Sequence, residues 1–91
     1  MSTRSSSPFD HLPWLVRRIP EPVLREYREA LFLVRSSQEP LVILRALSKM
    51  QEIAGQVERA AVEEARGQKA SWAEIAEALN RTRQAVEQRF R

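Results

Sequence analysis

The sequence predicts an all-α fold: N-terminal helices, one long helix over about 40–66, and a C-terminal helix-turn-helix. Three observations carry this. Apolar residues recur at helical spacing in successive stretches. Ser71 and Thr82 stand where helix caps belong. Only two glycines occur, against five prolines. So few glycines exclude a Gly-rich phosphate loop and argue against an all-β fold built on tight turns. The chain contains no strand-like run and no internal repeat.

The elements follow in chain order. Residues 1–8 (MSTRSSSP) are polar and predict a disordered tail. The block from Phe9 to Ile19 is apolar-rich, and one or two helical turns are expected from about Asp10 or Pro13 to Arg18. Pro20-Glu21-Pro22 ends them. Pro22 suits the first position of a second helix, in which Val23, Leu24, Tyr27, Leu31 and Val34 make one face. Glu21 and Arg25 stand in the favourable i,i+4 order. Ser36-Ser37-Gln38 breaks the pattern.

Pro40 opens the long helix. Ile43, Leu47, Met50, Ala54, Val57 and Ala61 are spaced 4-3-4-3-4, a heptad seam. Leu44, Ala46, Ile53, Ala60 and Ala65 make that face too broad for a simple two-stranded coil. A helix of this length spans roughly 40 Å, more than so short a chain can cover, so part of it is expected to meet a partner. Gly55 marks either a close helix crossing or a slight bend. Gly67 is the expected C-cap, and Glu58, Glu63 and Glu64 are expected on a solvated face. Ser71 and Glu74 form a capping-box pair ahead of a helix over Trp72–Leu79. Asn80 tolerates the left-handed turn conformation, and Thr82 caps a last helix from Arg83 to Phe90.

Composition and charge limit function. A chain of 91 residues and 10.5 kDa permits one small domain with a tail. It buries about 60–65% of the surface it exposes when unfolded, so a lone monomer is marginally stable. With no cysteine, neither disulfides nor a cysteine-ligated zinc can staple it. Self-association is the remaining common way to add core, which predicts a homodimer. Net charge is +3, from thirteen arginines and two lysines against twelve acids. That admits nucleic acid as a partner without demanding it, and a GC-rich genome accounts for the arginine bias equally well. No apolar run reaches the ~18–20 residues needed to span a bilayer, and Met1–Pro8 lacks an apolar signal region, so a cytoplasmic protein with no membrane partner is expected. His11 is the single histidine. It lies among prolines with only Asp10 beside it, which points away from a metal, a cofactor and an enzyme.

The stretch Ser71–Arg91, SWAEIAEALNRTRQAVEQRFR, carries the functional signal. It resembles the helix-turn-helix of bacterial transcription regulators and the promoter-reading region 4 of sigma factors. It is especially similar to small actinobacterial proteins in which W-A-E-I-A precedes a turn and an R-Q-A-V helix. The resemblance covers about a quarter of the chain. Ile75 and Ala76 match its apolar-then-small pair, Asn80 its usual glycine, Thr82 its recognition-helix cap and Val86 its buried β-branched position. Arg81 and Arg89 depart from it, since both positions are usually apolar; Phe90 is the candidate substitute for the second.

The resemblance implies sequence-specific binding of double-stranded DNA, with the last helix in the major groove. By spacing, Thr82, Arg83, Gln84, Glu87, Gln88 and Arg91 reach base edges. Arg83 suits guanine and Gln84 or Gln88 suits adenine; Glu87 either accepts from cytosine or repels wrong partners. Lys69, Arg81 and Arg89 are the phosphate candidates. Residues 81–91 hold four Arg and one Glu, a local +3 equal to that of the whole chain. The domain organisation expected is therefore a tail (1–8), a helical dimerisation region (9–66) and a DNA-binding motif (67–91). The dimer interface is expected at Ile43, Leu47, Met50, Ala54, Val57 and Trp14.

Several residues carry two readings. Trp14, Leu15, Val16 and Ile19 form either an arm around a partner subunit or packing on the chain's own second helix. Trp72 either closes the core or touches the DNA backbone. The alternative for the whole chain is a protein-interaction module docking on a larger regulator or polymerase component. An RNA binder lacks the aromatic stacking surface it needs. No small-molecule pocket is evident, and the expected setting is the nucleoid, in transcription regulation.

Overall fold

The computed structural model describes residues 13–91. The tail expected over 1–8, and Phe9, Asp10 and His11, lie outside the described residues. The protein is all-α: α1 (Trp14–Arg18), α2 (Glu21–Ser36), α3 (Pro40–Gly67), α4 (Trp72–Leu79) and α5 (Arg83–Phe90), with no strand among the described residues. The chain divides into two compact units, one running to Ile53 and the other Ala54–Arg91. Helix α3 contributes to both.

In the first unit, Ile19, Ala30, Ala46 and Ile53 are buried. Helix α2 starts at Glu21, one residue before the expected Pro22. The proline stays in the first turn, where its missing N–H leaves no bond unmade. Val23, Leu24, Tyr27 and Val34 are half-buried as their spacing predicts, but Ala30 is the residue at the centre of that face and Leu31 is exposed. Ala30 and Ala46 line one shallow groove with Leu33 and Val42, between α2 and α3. Lys49 bridges the two helices, 3.8 Å from Glu26 and 3.3 Å from Glu52. Glu21 pairs with Arg28 at 3.2 Å, seven residues on, in place of the expected Arg25. Serines end α2 as anticipated. The Ser36 hydroxyl donates to the Phe32 carbonyl at 2.7 Å, and the Ser37 hydroxyl accepts from the Glu39 N–H at 3.0 Å, turning the chain into α3.

The second unit is built on Val62, Ile75, Ala76 and Val86, with Ala65, Ala70, Trp72, Leu79 and Phe90 packed against them. Its share of α3 buries Val62 at 5% exposure, a residue outside the heptad seam read from the sequence. Gly55 marks no crossing: a Cβ placed there meets nothing within 4 Å. Nor does Gly67 cap α3 in the left-handed conformation. It is the last helical residue, and the left-handed position falls on Lys69, with φ 71°. The reason is tertiary. The Ala70 N–H closes on the Ala65 carbonyl and the Lys69 N–H on that of Arg66, each at 2.9 Å. This is the Schellman arrangement, whose apolar contact here joins Ala65 and Ala70 at the core. Core contact, not the nearest glycine, fixes where the helix stops.

Candidate nucleic-acid interface

Helices α4 and α5 have the bounds that the caps predict. The Ser71 hydroxyl accepts from the Glu74 N–H at 3.0 Å, and the Glu74 carboxylate accepts from the Ser71 N–H at 2.7 Å, a complete capping box. Asn80 is left-handed (φ 56°, ψ 46°). A second Schellman closure forms around it, from the Arg81 N–H to the Ala76 carbonyl at 2.9 Å and from the Asn80 N–H to the Glu77 carbonyl at 3.1 Å. The Thr82 hydroxyl accepts from the Ala85 N–H at 3.2 Å and starts α5. Small Ala76, 4% exposed, lies with Val86, 1% exposed, between the two helices and α3.

This packing fixes which side of α5 faces out. Val86 and Phe90 turn inward, four residues apart. Gln84, Gln88 and Arg91 fall opposite Val86 by helical rotation and are exposed, as are Thr82 and Arg83. Glu87 is the exception among the expected base-reading residues. Its side chain is 19% exposed and its carboxylate receives Arg83 at 2.6 Å and Arg91 at 2.8 Å. The hydrogen bond from Arg83 does most to hold the Glu87 carboxyl below the usual glutamate range; that from Arg91 and the charge of both guanidiniums add to it, against a partial loss of hydration that works the other way.

The phosphate candidates divide. Lys69 is exposed in the turn after α3. Arg81 and Arg89 both meet Glu58 of α3, at 3.7 and 3.0 Å. Glu58 is therefore no solvated acid as expected: its side chain is 20% exposed and joins the turn and α5 to α3. The two departures from the resemblance share this cause, since arginines at 81 and 89 suit an acid at 58. Phe90 takes up the apolar role beside Arg89, with the guanidiniums of Arg59 and Arg89 at 5.5 and 5.1 Å from its ring centre. Trp72 packs against the core, and Arg66 stacks on its ring at 4.4 Å while donating to the Ala70 carbonyl at 2.9 Å.

Sequence reading missed Glu58, Arg59 and Arg66 as parts of this region. An acid at 58 with an apolar residue at 62 and a small one at 65 is the i,i+4,i+7 signal that could have found the face. Of the residues expected at a dimer interface, Ile43, Met50, Val57 and Trp14 are half-buried, and Leu47 and Ala54 are exposed.

Among the described residues no group of three or more His, Asp or Glu converges as metal ligands, and no helix is long and apolar enough to cross a membrane. Compared with protein-family models, with curated proteins and with solved structures, the chain matches none.

Proposed function

We propose that the chain is a sequence-specific binder of double-stranded DNA, acting as a homodimer in transcription regulation, with α4 and α5 as its helix-turn-helix. The observation that carries this is the outward face of α5. Thr82, Arg83, Gln84, Gln88 and Arg91 are exposed on a helix whose opposite side is fixed by Val86 and Phe90. These are hydrogen-bonding side chains of the kinds that pair with base edges, held on a rigid element. Arg83 and Gln84, in the first turn, are the principal readers; Lys69 and the arginines at 81 and 89 serve the phosphates. The function is binding without chemistry, and its setting is the nucleoid. The alternative, docking on a larger regulator or polymerase component, draws on the exposed apolar residues of the first unit and needs no DNA affinity.

The test is fluorescence anisotropy on mixed genomic fragments at low and near-physiological salt, with an Arg83→Ala/Gln84→Ala variant alongside. The expected result is tight, salt-dependent binding that the variant loses. On the selected site, Arg83→Ala alone costs ~1–3 kcal/mol and relaxes one base position. Absence of binding at either salt, or equal affinity of variant and wild type, overturns the proposal.

A further inference from the structure

Glu87 stands at the middle of one stripe of α5, with Arg83 a turn before it and Arg91 a turn after. Both carboxylate oxygens are engaged: Oε2 accepts from Arg83 at 2.6 Å and Oε1 from Arg91 at 2.8 Å. The two bonds use different parts of the guanidinium. Arg91 gives a terminal nitrogen, Nη2, whereas Arg83 gives Nε, the nitrogen within the side chain. Arginine reads guanine with two N–H groups at once, one on O6 and one on N7. Anchored through Nε, Arg83 keeps the edge formed by its two Nη groups for such a pair, and its side chain is 67% exposed.

The anchor also corrects where Arg83 starts from. By helical rotation its Cα lies about 60° round from the inward-facing Val86, on the flank of α5. Glu87 lies about 100° round in the same sense, and Gln84, near the outermost line, about 160°. The bond to Glu87 therefore carries the guanidinium of Arg83 off the flank, toward the side of Gln84. An arginine already held in this way is not ordered anew on binding, and a base that meets its Nη edge does not displace the carboxylate. Glu87, with both oxygens engaged and a side chain only 19% exposed, presents little of itself to a base.

We propose that Glu87 is a positioning residue for the recognition of guanine: it holds Arg83 by Nε so that the two Nη groups meet O6 and N7 of one guanine in the major groove. This is neither of the roles expected from the sequence, acceptance from cytosine or repulsion of wrong partners. It rests on the DNA-binding reading above and deepens it, by naming the base that the first turn of α5 reads and the residue that sets the reader in place.

Glu87→Gln keeps the length of the side chain and removes its charge. Full-length wild type, Glu87→Gln, Arg83→Ala and the Arg83→Ala/Glu87→Gln pair are compared by fluorescence anisotropy. The probes are a duplex that wild type selects from genomic fragments, the same duplex with each G·C pair changed in turn to A·T, and an unrelated duplex of equal length. For Glu87→Gln, the preference for guanine is expected to fall about tenfold at one base pair, the pair at which Arg83→Ala also loses it. The double variant is expected to fall no further there. Affinity for the unrelated duplex rises at the same time, because a negative charge has left the face; a role in folding alone lowers affinity for every duplex. The hold itself is read by NMR on free wild type, where the Nε–H of Arg83 is expected to exchange with water more slowly than that of Arg91, whose bond uses Nη2. That measurement decides if Glu87→Gln loses its helical signal. Equal exchange of the two, a loss at a base pair other than that of Arg83, or the same change on every duplex overturns this inference and leaves DNA binding standing. A wild type that binds no duplex overturns the DNA-binding reading and this inference with it.

Discussion

Two residues show the chain placing its glycines away from where the backbone needs them. Gly55 lies mid-helix with open space where a side chain would go. Gly55→Ala is expected to raise stability by up to ~1 kcal/mol, since the helix loses a flexible residue and nothing clashes. A urea melt reads this, and a loss of stability would mean that the site is occupied after all. Lys69 holds the left-handed position that glycine fills more cheaply. Lys69→Gly is therefore expected to stabilise the fold by about 1 kcal/mol while weakening DNA binding, if Lys69 touches phosphate as proposed. The opposite movement of melt and anisotropy distinguishes strain from function. The sequence could reveal that a stop lies near Gly67. It could not reveal that Ala70 must reach Ala65, because that contact is set by the packed core.

Where a signal is local, the elements were legible in the sequence. The Ser71–Glu74 box, Asn80 and Thr82 each act within three or four residues, so α4 and α5 were readable to their last residue. Helix α3 was legible as a helix but not in the direction of its faces. Its first unit buries Ala46 and Ile53 and its second buries Val62, and no single seam drawn along the sequence describes both. Within α5, the Glu87 carboxylate between Arg83 and Arg91 sets an acid limit. Its pKa is depressed in the folded chain, so its contribution is present above the ordinary glutamate value of about 4.3 and lost as pH falls through the lower folded value. NMR titration of the Glu87 carboxyl is expected to give a midpoint below that value, with helicity of α5 flat from neutral to mildly acidic pH. A midpoint at or above the ordinary value would show that the two arginines do not hold it.

At the scale of the whole chain, the proposed homodimer would tie folding to association. The thermal midpoint is expected to rise with protein concentration, and a midpoint constant over a hundredfold dilution would count against any dimer. The candidate DNA face was legible as a set of residues because caps and spacing place them. Glu58, the acid that pairs with Arg81 and Arg89, was not, since it stands more than twenty residues away in sequence and only packing brings it there. That matching has a consequence for how the face meets a polyanion. Glu58 and Glu87 are internal counterions, each shared by two of the four arginines over 81–91 and offsetting one of their charges. Under the proposed function, a phosphate would not meet four bare cations; it would exchange with a carboxylate. Such a face would be less adhesive toward arbitrary nucleic acid than its arginine count suggests, and the exchange would favour a site whose groups meet the guanidiniums in better geometry than the acids do.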